Sequence, residues 1–200
     1  MAEAPHSGTV APGGQPGPAA APEVVTGPEL VQLLTSRVVD VPDWPQPGVM
    51  FKDITPLLAD PVAFRSAIAA MVRTAPEPFD LVAGIEARGF MLAAAVAYAA
   101  GVGVVPVRKA GKLPRATHAA SYTLEYGEAT LEVHRDGFPA DARVLVVDDV
   151  LATGGTARTT LELIARSGAR PIGLTVLMEL TALGGREKMP DYPVKSLLTF

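Results

Sequence analysis

The residues best suited to chemistry in this 200-residue chain are Val144-Leu145-Val146-Val147-Asp148-Asp149-Val150-Leu151-Ala152-Thr153-Gly154-Gly155-Thr156. Four apolar residues in a row read as a buried parallel strand. Two carboxylates stand where that strand is expected to end, exposed. A Gly- and Thr-rich loop follows, then a helical pattern with Leu161, Leu163 and Ile164 among its apolar positions. A strand, a loop and a helix N-terminus in that order make an anion site. Backbone N–H groups point into the loop, and the helix dipole favours negative charge there. Gly154 and Gly155 let the backbone approach a phosphate, and Thr153 and Thr156 add hydroxyl donors. Asp148 and Asp149 repel phosphate, but they accept hydrogen bonds from sugar hydroxyls or hold water around Mg²⁺. The ligand implied is a phosphorylated sugar whose diol faces the acids.

Other phosphate loops fit less well. No Gly-Lys-Ser/Thr of a Walker A loop occurs. Gly101-Val102-Gly103 begins like a dinucleotide fingerprint, but Pro106 stands where its third Gly or Ala belongs. An ordinary strand-to-helix connection seldom carries paired acids followed by Thr-Gly-Gly-Thr.

Three more segments carry groups of interest. Ala83-Gly84-Ile85-Glu86-Ala87-Arg88-Gly89 follows a predicted strand, and Arg88 can reach an anion or simply be solvated. Arg108-Lys109-Ala110-Gly111-Lys112 puts three cations into five residues. Alone it reads as a solvated charge run, but its place at the same sheet edge favours neutralising a pyrophosphate. Trp44 to Thr55 is a Pro-braced apolar segment in which Phe51 either packs in the core or stacks on a flat base.

The elements that must position these groups follow from periodicity. A short helix starts near Thr26, where Thr26-Gly27-Pro28-Glu29 has capping-box spacing. Residues 38–58, with four prolines, are expected to be irregular. Asp60-Pro61 starts a second helix. Strands are predicted at 81–85, 102–107, 143–147, 171–180 and 194–200, and helices at 90–100 and 156–166. Residues 108–118 read as a mobile loop and 121–134 as a hairpin around Tyr126-Gly127. This alternation predicts an α/β fold: a mainly parallel sheet with helices on both faces, plus a flexible loop and hairpin. In such sheets ligands bind at the carboxyl ends of the strands. That gathers the loops 84–89, 108–120, 148–156 and 180–186 around one cleft.

Composition sets bounds. The length suits one domain, placed at 26–200. Of the first 28 residues, 17 are Pro, Gly or Ala, so 1–25 is expected to be a disordered tail. It lacks the basic and apolar regions of a secretory signal. A net charge of −4 provides no global basic field for nucleic acid. Gly89–Val107 is uncharged for 19 residues, but Gly101, Gly103 and Pro106 interrupt it. A buried helix and strand fit better there than a membrane span. The absence of cysteine excludes disulfides and suits a cytoplasmic protein.

Residues 144–156 resemble the phosphoribosyl pyrophosphate (PRPP) signature of the type I phosphoribosyltransferases at every signature position. Pro-Gly-x-x-Phe-x-Asp-Ile-Thr-Pro-Leu-Leu, Glu-Ala-Arg-Gly-Phe, Val-Arg-Lys-x-Gly-Lys-Leu-Pro and Leu-Glu-Tyr-Gly also occur in order. Together they make residues 37–200 similar to the adenine phosphoribosyltransferases. The resemblance implies the type I fold with a small hood, and transfer of the phosphoribosyl group of PRPP to adenine, giving AMP and pyrophosphate with Mg²⁺. It implies that Asp148, Asp149, Ala152, Thr153, Gly154, Gly155 and Thr156 hold ribose and phosphate. Glu86, Ala87, Arg88, Arg108, Lys109 and Lys112 would hold pyrophosphate. Phe51 and Leu180 would sandwich adenine while the backbone near Met50 reads its edge. Glu125 and Tyr126 match the catalytic pair of the mobile loop. No residue is assigned directly to metal; Mg²⁺ would come through PRPP and water. Family members form homodimers. The 6-oxopurine enzymes carry an Asp where Ala152 stands, which argues against hypoxanthine or guanine. Lys52 replaces the family Arg, which keeps charge but loses bidentate geometry. Two alternatives are a transferase for another nucleobase and a non-catalytic PRPP-binding regulator. Such regulators carry a DNA-binding module ahead of this domain, and no basic helix precedes the match here.

Overall fold

The computed structural model describes residues 23–123 and 128–200. Residues 1–22 of the expected tail at 1–25, and the segment holding Glu125 and Tyr126, lie outside the described residues. In chain order the elements are α1 (Pro28–Thr35), β1 (Val39–Val41), β2 (Phe51–Asp53), α2 (Thr55–Ala59), α3 (Pro61–Thr74), β3 (Leu81–Ile85), α4 (Gly89–Ala100) and β4 (Gly103–Lys109). Then come β5 (Thr117–Thr123), β6 (Glu128–His134), β7 (Arg143–Leu151), α5 (Gly155–Arg166), β8 (Arg170–Glu179) and β9 (Val194–Thr199).

Seven strands form one sheet in the order β5-β6-β4-β3-β7-β8-β9. Neighbours from β4 through β9 on the β3 side pair in parallel, while β6 joins β4 and β5 antiparallel. The pleat sends alternate residues of β7 to opposite faces. Leu145 and Val147 join α1, α3 and α4 in one apolar cluster. Val144 and Val146 join α5 and the β5–β6 hairpin in the other. One uninterrupted apolar run therefore serves two cores, and helices cover both faces as expected.

The chain leaves β3 toward β4 on one side, and β7 lies on the other. That is a topological switch point, which leaves a crevice beyond the carboxyl ends of β3 and β7. The segments reaching it are 86–88 and 148–156. Above it sits a two-stranded antiparallel hood made of β1 and β2.

Several expected boundaries move. Thr26 does not cap α1: the N-cap is Gly27 at φ 68°, with no side-chain hydrogen bond. Asp60 does cap α3, accepting from the N–H groups of Val62 and Ala63. Residues 38–58 are not irregular throughout; they hold the hood and α2, because Pro42, Pro45 and Pro47 fall between β1 and β2 and Pro56 sits in the first turn of α2, where it is tolerated. The loop expected at 108–118 is shorter, since β4 runs to Lys109 and β5 begins at Thr117. Ladder pairing from Arg108↔Glu132 onward orders that backbone. The uncharged 89–107 stretch is a 12-residue helix and a strand, and no helix among the described residues is long and apolar enough to cross a membrane.

Candidate active site

β7 positions the acids differently from expectation. The strand continues to Leu151, with Asp148 paired to Val176 and Leu151 to Glu179 on β8. Asp148 and Asp149 thus lie within the strand, not at an exposed end. Asp149 is buried at 4% exposure. Its Oδ2 lies 2.7 Å from Arg88 Nη2, an ion pair closing the crevice between the β3 and β7 ends. Asp148 Oδ1 accepts the Asp149 N–H at 2.8 Å. Burial first, and then the charge of Asp149, push the Asp148 carboxyl well above its ordinary value. Gly89 is required beside it, because a Cβ there would stand 2.5 Å from Asp148 Oδ1.

The signature loop turns from β7 into α5 through Gly154, whose φ of 80° is left-handed. A Cβ at 154 would also meet the Gly185 carbonyl oxygen at 2.4 Å. This glycine therefore answers a packing demand from the protein itself, besides any approach of an anion. No side chain caps α5. The N–H groups of its first turn have no acceptor within the helix and face the crevice mouth. Thr156 Oγ1 is 2.9 Å from the hydroxyl of Tyr122.

Arg88 reaches a third element. Its guanidinium carbon lies 4.6 Å from the centroid of the Phe51 ring, and Trp44 meets the same ring edge-on at 4.3 Å. Hood, β3 loop and β7 thus converge through Phe51, Arg88 and Asp149. Arg88 Nη1 and Asp149 Oδ2 are buried with no hydrogen-bond partner; the 2.7 Å ion pair lacks hydrogen-bond alignment. Orphaned polar atoms of opposite charge in a cleft are groups ready for a ligand.

The cations of β4 are divided. Lys109 lines the cleft. Arg108 turns away: its Nε lies 3.2 Å from Glu86 Oε2, and its Nη1 donates to the Lys112 carbonyl at 3.0 Å. Glu86 Oε2 also accepts the Lys109 N–H at 3.1 Å. Burial alone would raise the Glu86 carboxyl, but these donors hold it below its ordinary value. Its carboxylate braces the cation strand, and the Glu86–Ala87 peptide beside it is cis.

The resulting cleft has a volume of about 600 Å³ and is lined by Phe51, Glu86, Ala87, Arg88, Lys109, Asp148, Asp149, Ala152, Thr153, Gly154 and Thr156 among the expected residues. Met50, Leu180, Arg108, Lys112 and Gly155 do not line it. Met50 is half exposed, Leu180 is held by its N–H to the Leu151 carbonyl at 2.9 Å, and Gly155 faces the Tyr122 ring. The 180–186 segment expected at the cleft instead packs behind the signature loop. Lys52 is taken up in the hood, 2.6 Å from Asp40 and 4.2 Å from the Phe200 ring centre. Sequence reasoning missed Trp44 and Tyr122 as lining residues. The signals for them were a lone Trp beside Phe51's segment and a Tyr three residues before Glu125. No cluster of three or more metal-binding side chains occurs among the described residues.

Comparison with known proteins places this geometry. Residues 55–200 match the family model of the phosphoribosyl transferase domain. The adenine phosphoribosyltransferase of Salinispora tropica is 64% identical over 175 residues, covering 87% of this chain and 93% of that protein. That of Acidothermus cellulolyticus is 55% identical, covering 85% and 97%. Among solved structures, adenine phosphoribosyltransferase from Thermoanaerobacter pseudethanolicus superposes with a TM-score of 0.83 at 43% identity, covering 85% of this chain and 99% of that one. The Saccharomyces cerevisiae enzyme, complexed with an imino-altritol bisphosphate and adenine, gives 0.80 at 38%, covering 85% and 99%. Matched by the family model over residues 55–200 and 64% identical to a relative it covers to 93%, the chain belongs to the adenine phosphoribosyltransferase family.

Proposed function

We propose that this protein transfers the 5-phosphoribosyl group from PRPP to adenine, giving AMP and pyrophosphate. One observation carries the reading: an uncapped helix N-terminus, a buried acid paired with Arg88, and the Phe51 ring share one cleft. These are the complements of a phosphate, a sugar diol with pyrophosphate, and a flat base. The yeast relative holds a bisphosphate and adenine together.

In this reading the first turn of α5, with Thr153 and Thr156, takes the 5-phosphate. Asp148 and Asp149 take the ribose hydroxyls. Arg88 and Lys109 take the pyrophosphate, with Glu86 bracing the strand that presents Lys109. Arg108 and Lys112 stand behind them and contribute charge at longer range. Phe51 stacks on the base; Leu180 and the Met50 backbone, which the family resemblance assigns to the base, stand outside the cleft lining. At C1 of the ribose the bond to pyrophosphate breaks and the bond to adenine N9 forms. The N9 proton passes to a base, for which Glu125 is the candidate, and Tyr126 shields the reacting centre.

Asp148 and Asp149 offer hard carboxylate groups, and only two of them, which fits Mg²⁺ held mainly by substrate oxygens and water. When bound, Mg²⁺ neutralises the departing pyrophosphate. The protein works as a cytoplasmic homodimer in this reading, since an isologous pair is the commonest assembly. Sedimentation showing only a 20.8 kDa species with full activity would exclude the dimer.

The test is incubation with PRPP, Mg²⁺ and each nucleobase. AMP should form from adenine, with hypoxanthine and guanine turned over far more slowly, as Ala152 offers no carboxylate to a 6-oxopurine. Equal turnover of hypoxanthine would sink the adenine assignment. Binding of PRPP without any product would favour a regulator on the same fold.

A further inference from the structure

We propose that Tyr122 is a positioning residue for the 5-phosphate, acting by fixing the hydroxyl of Thr156. The proposal rests on the reading of the α5 N-terminus as the phosphate site. Tyr122 belongs to β5, an edge strand of the sheet that is laddered only to β6. Its ring lies over the start of α5, where a Cβ at Gly155 would stand 3.0 Å from Tyr122 Cδ2. Its hydroxyl is 2.9 Å from Thr156 Oγ1, across 34 residues of sequence.

The direction of that bond follows from hydroxyl chemistry. Thr156 has one proton and two lone pairs. A phosphate oxygen facing it only accepts, so Thr156 must spend its proton there. Its lone pair then takes the proton of Tyr122. Tyr122 O–H to Thr156 Oγ1, and Thr156 O–H to phosphate, form one polarised chain. A helix threonine left alone has another option, to donate to a carbonyl one turn back. Thr160 does so here, donating to the Thr156 carbonyl at 2.9 Å; Thr156, the second residue of α5, has only loop carbonyls one turn back and meets Tyr122 instead. Tyr122 thus keeps the Thr156 hydroxyl aimed at the cleft. Arg88 and Lys109, which face the pyrophosphate, stand on other elements and do not depend on this chain.

The test compares ribose 5-phosphate with inorganic pyrophosphate by calorimetry on the full chain. Y122F keeps the ring over Gly155 and removes only the proton donor. It should weaken ribose 5-phosphate about 3- to 10-fold, the scale of one net hydrogen bond, and leave pyrophosphate affinity in place. T156V should weaken ribose 5-phosphate at least as much, T156S should restore it, and Y122F should add little in the T156V background. An unchanged ribose 5-phosphate affinity in Y122F would overturn the proposal. So would equal losses for both ligands, or fully additive losses with T156V. If the unaltered protein itself fails to bind ribose 5-phosphate, the phosphate-site reading fails first, and the two failures are told apart.

Discussion

Arg88 Nη2 stands 2.7 Å from Asp149 Oδ2, while the same guanidinium covers the Phe51 ring at 4.6 Å. One arginine thus occupies both the acid proposed to hold the sugar and the aromatic face proposed to hold the base. In the proposed reading, a pyrophosphate that draws Arg88 toward itself would free Asp149 and uncover Phe51 together. Binding at this site is then an exchange of partners for a charge that is already partly desolvated.

Arg88→Ala should therefore lower stability as well as PRPP affinity. Asp149 would be left buried without its cation. A fully buried pair broken this way costs ~3–5 kcal/mol, and about 1–3 kcal/mol is expected here because the Arg88 side chain is 32% exposed. Urea unfolding measures it. A variant as stable as the parent would show that the ion pair contributes nothing to the fold.

Asp148 should respond in the opposite sense. Burial and the neighbouring Asp149 raise its pKa in the fold above the ordinary 3.8. The folded state then holds the proton more tightly, so the contribution to stability is full below that value and lost as pH rises through the raised pKa. At neutral pH the fold bears the cost of ionisation. Asp148→Asn should raise the melting temperature at neutral pH, with the gain fading toward acid, and weaken PRPP binding at least about tenfold. A lower melting temperature at neutral pH would count against the charge repulsion invoked here.

Asp80 titrates the other way, far from the cleft. Arg143 grips it through two side-chain contacts and its N–H, holding its carboxyl at about 2. That support is present above the ordinary carboxylate value and vanishes as pH falls through about 2. Asp80→Asn should lower the melting temperature slightly at neutral pH, converge with the parent in strong acid, and leave KM and kcat alone. A change in KM for either substrate would show coupling from the amino ends of β3 and β7 to the site.

Two truncations separate the tail from the domain. Removing residues 1–22 should change neither activity nor melting temperature, since that composition has little to bury. Removing 1–26 should destabilise by about 1–3 kcal/mol, because the Val25 N–H donates at 2.9 Å to Ser66 Oγ, whose side chain is fully buried. Equal melting temperatures for the two would mean the Val25 contact is dispensable.

Glu125→Gln should cut turnover by about 10²–10⁴-fold, the scale of one lost acid–base group, with a smaller loss for Tyr126→Phe. PRPP affinity should change less than the chemical step in both. Single-turnover kinetics at parental rates would remove the pair from catalysis.

Much of this site was legible because backbone geometry and residue type coincide in it. The apolar run at 144–147, the paired acids and Thr-Gly-Gly-Thr can form little other than a strand, a turn and a helix start. Asp60-Pro61 marked the start of α3 for the same reason. What sequence concealed was decided by neighbours distant in the chain. Whether Asp149 is exposed depends on β8 extending the ladder to Leu151 and on Arg88, 61 positions earlier. Whether Arg108 faces ligand or protein depends on Glu86. Tyr122 meets Thr156 only when β5 folds against α5. The hood escaped notice because its strands are three residues each, too short for alternation to show.

Gly154 and Gly185 come from different crossovers, yet each leaves no room for a side chain on the other: a Cβ on Gly185 would lie 2.1 Å from the Ala152 carbonyl oxygen and 3.0 Å from the Gly154 nitrogen. The signature loop is therefore not a portable cassette. Grafted into another α/β scaffold as thirteen contiguous residues, it would carry every donor and still miss its shape, because half of the mould lies some thirty positions downstream. A designer would have to transplant the 184–188 turn along with it, and a library that randomised 185 while holding 152–156 fixed would return glycine.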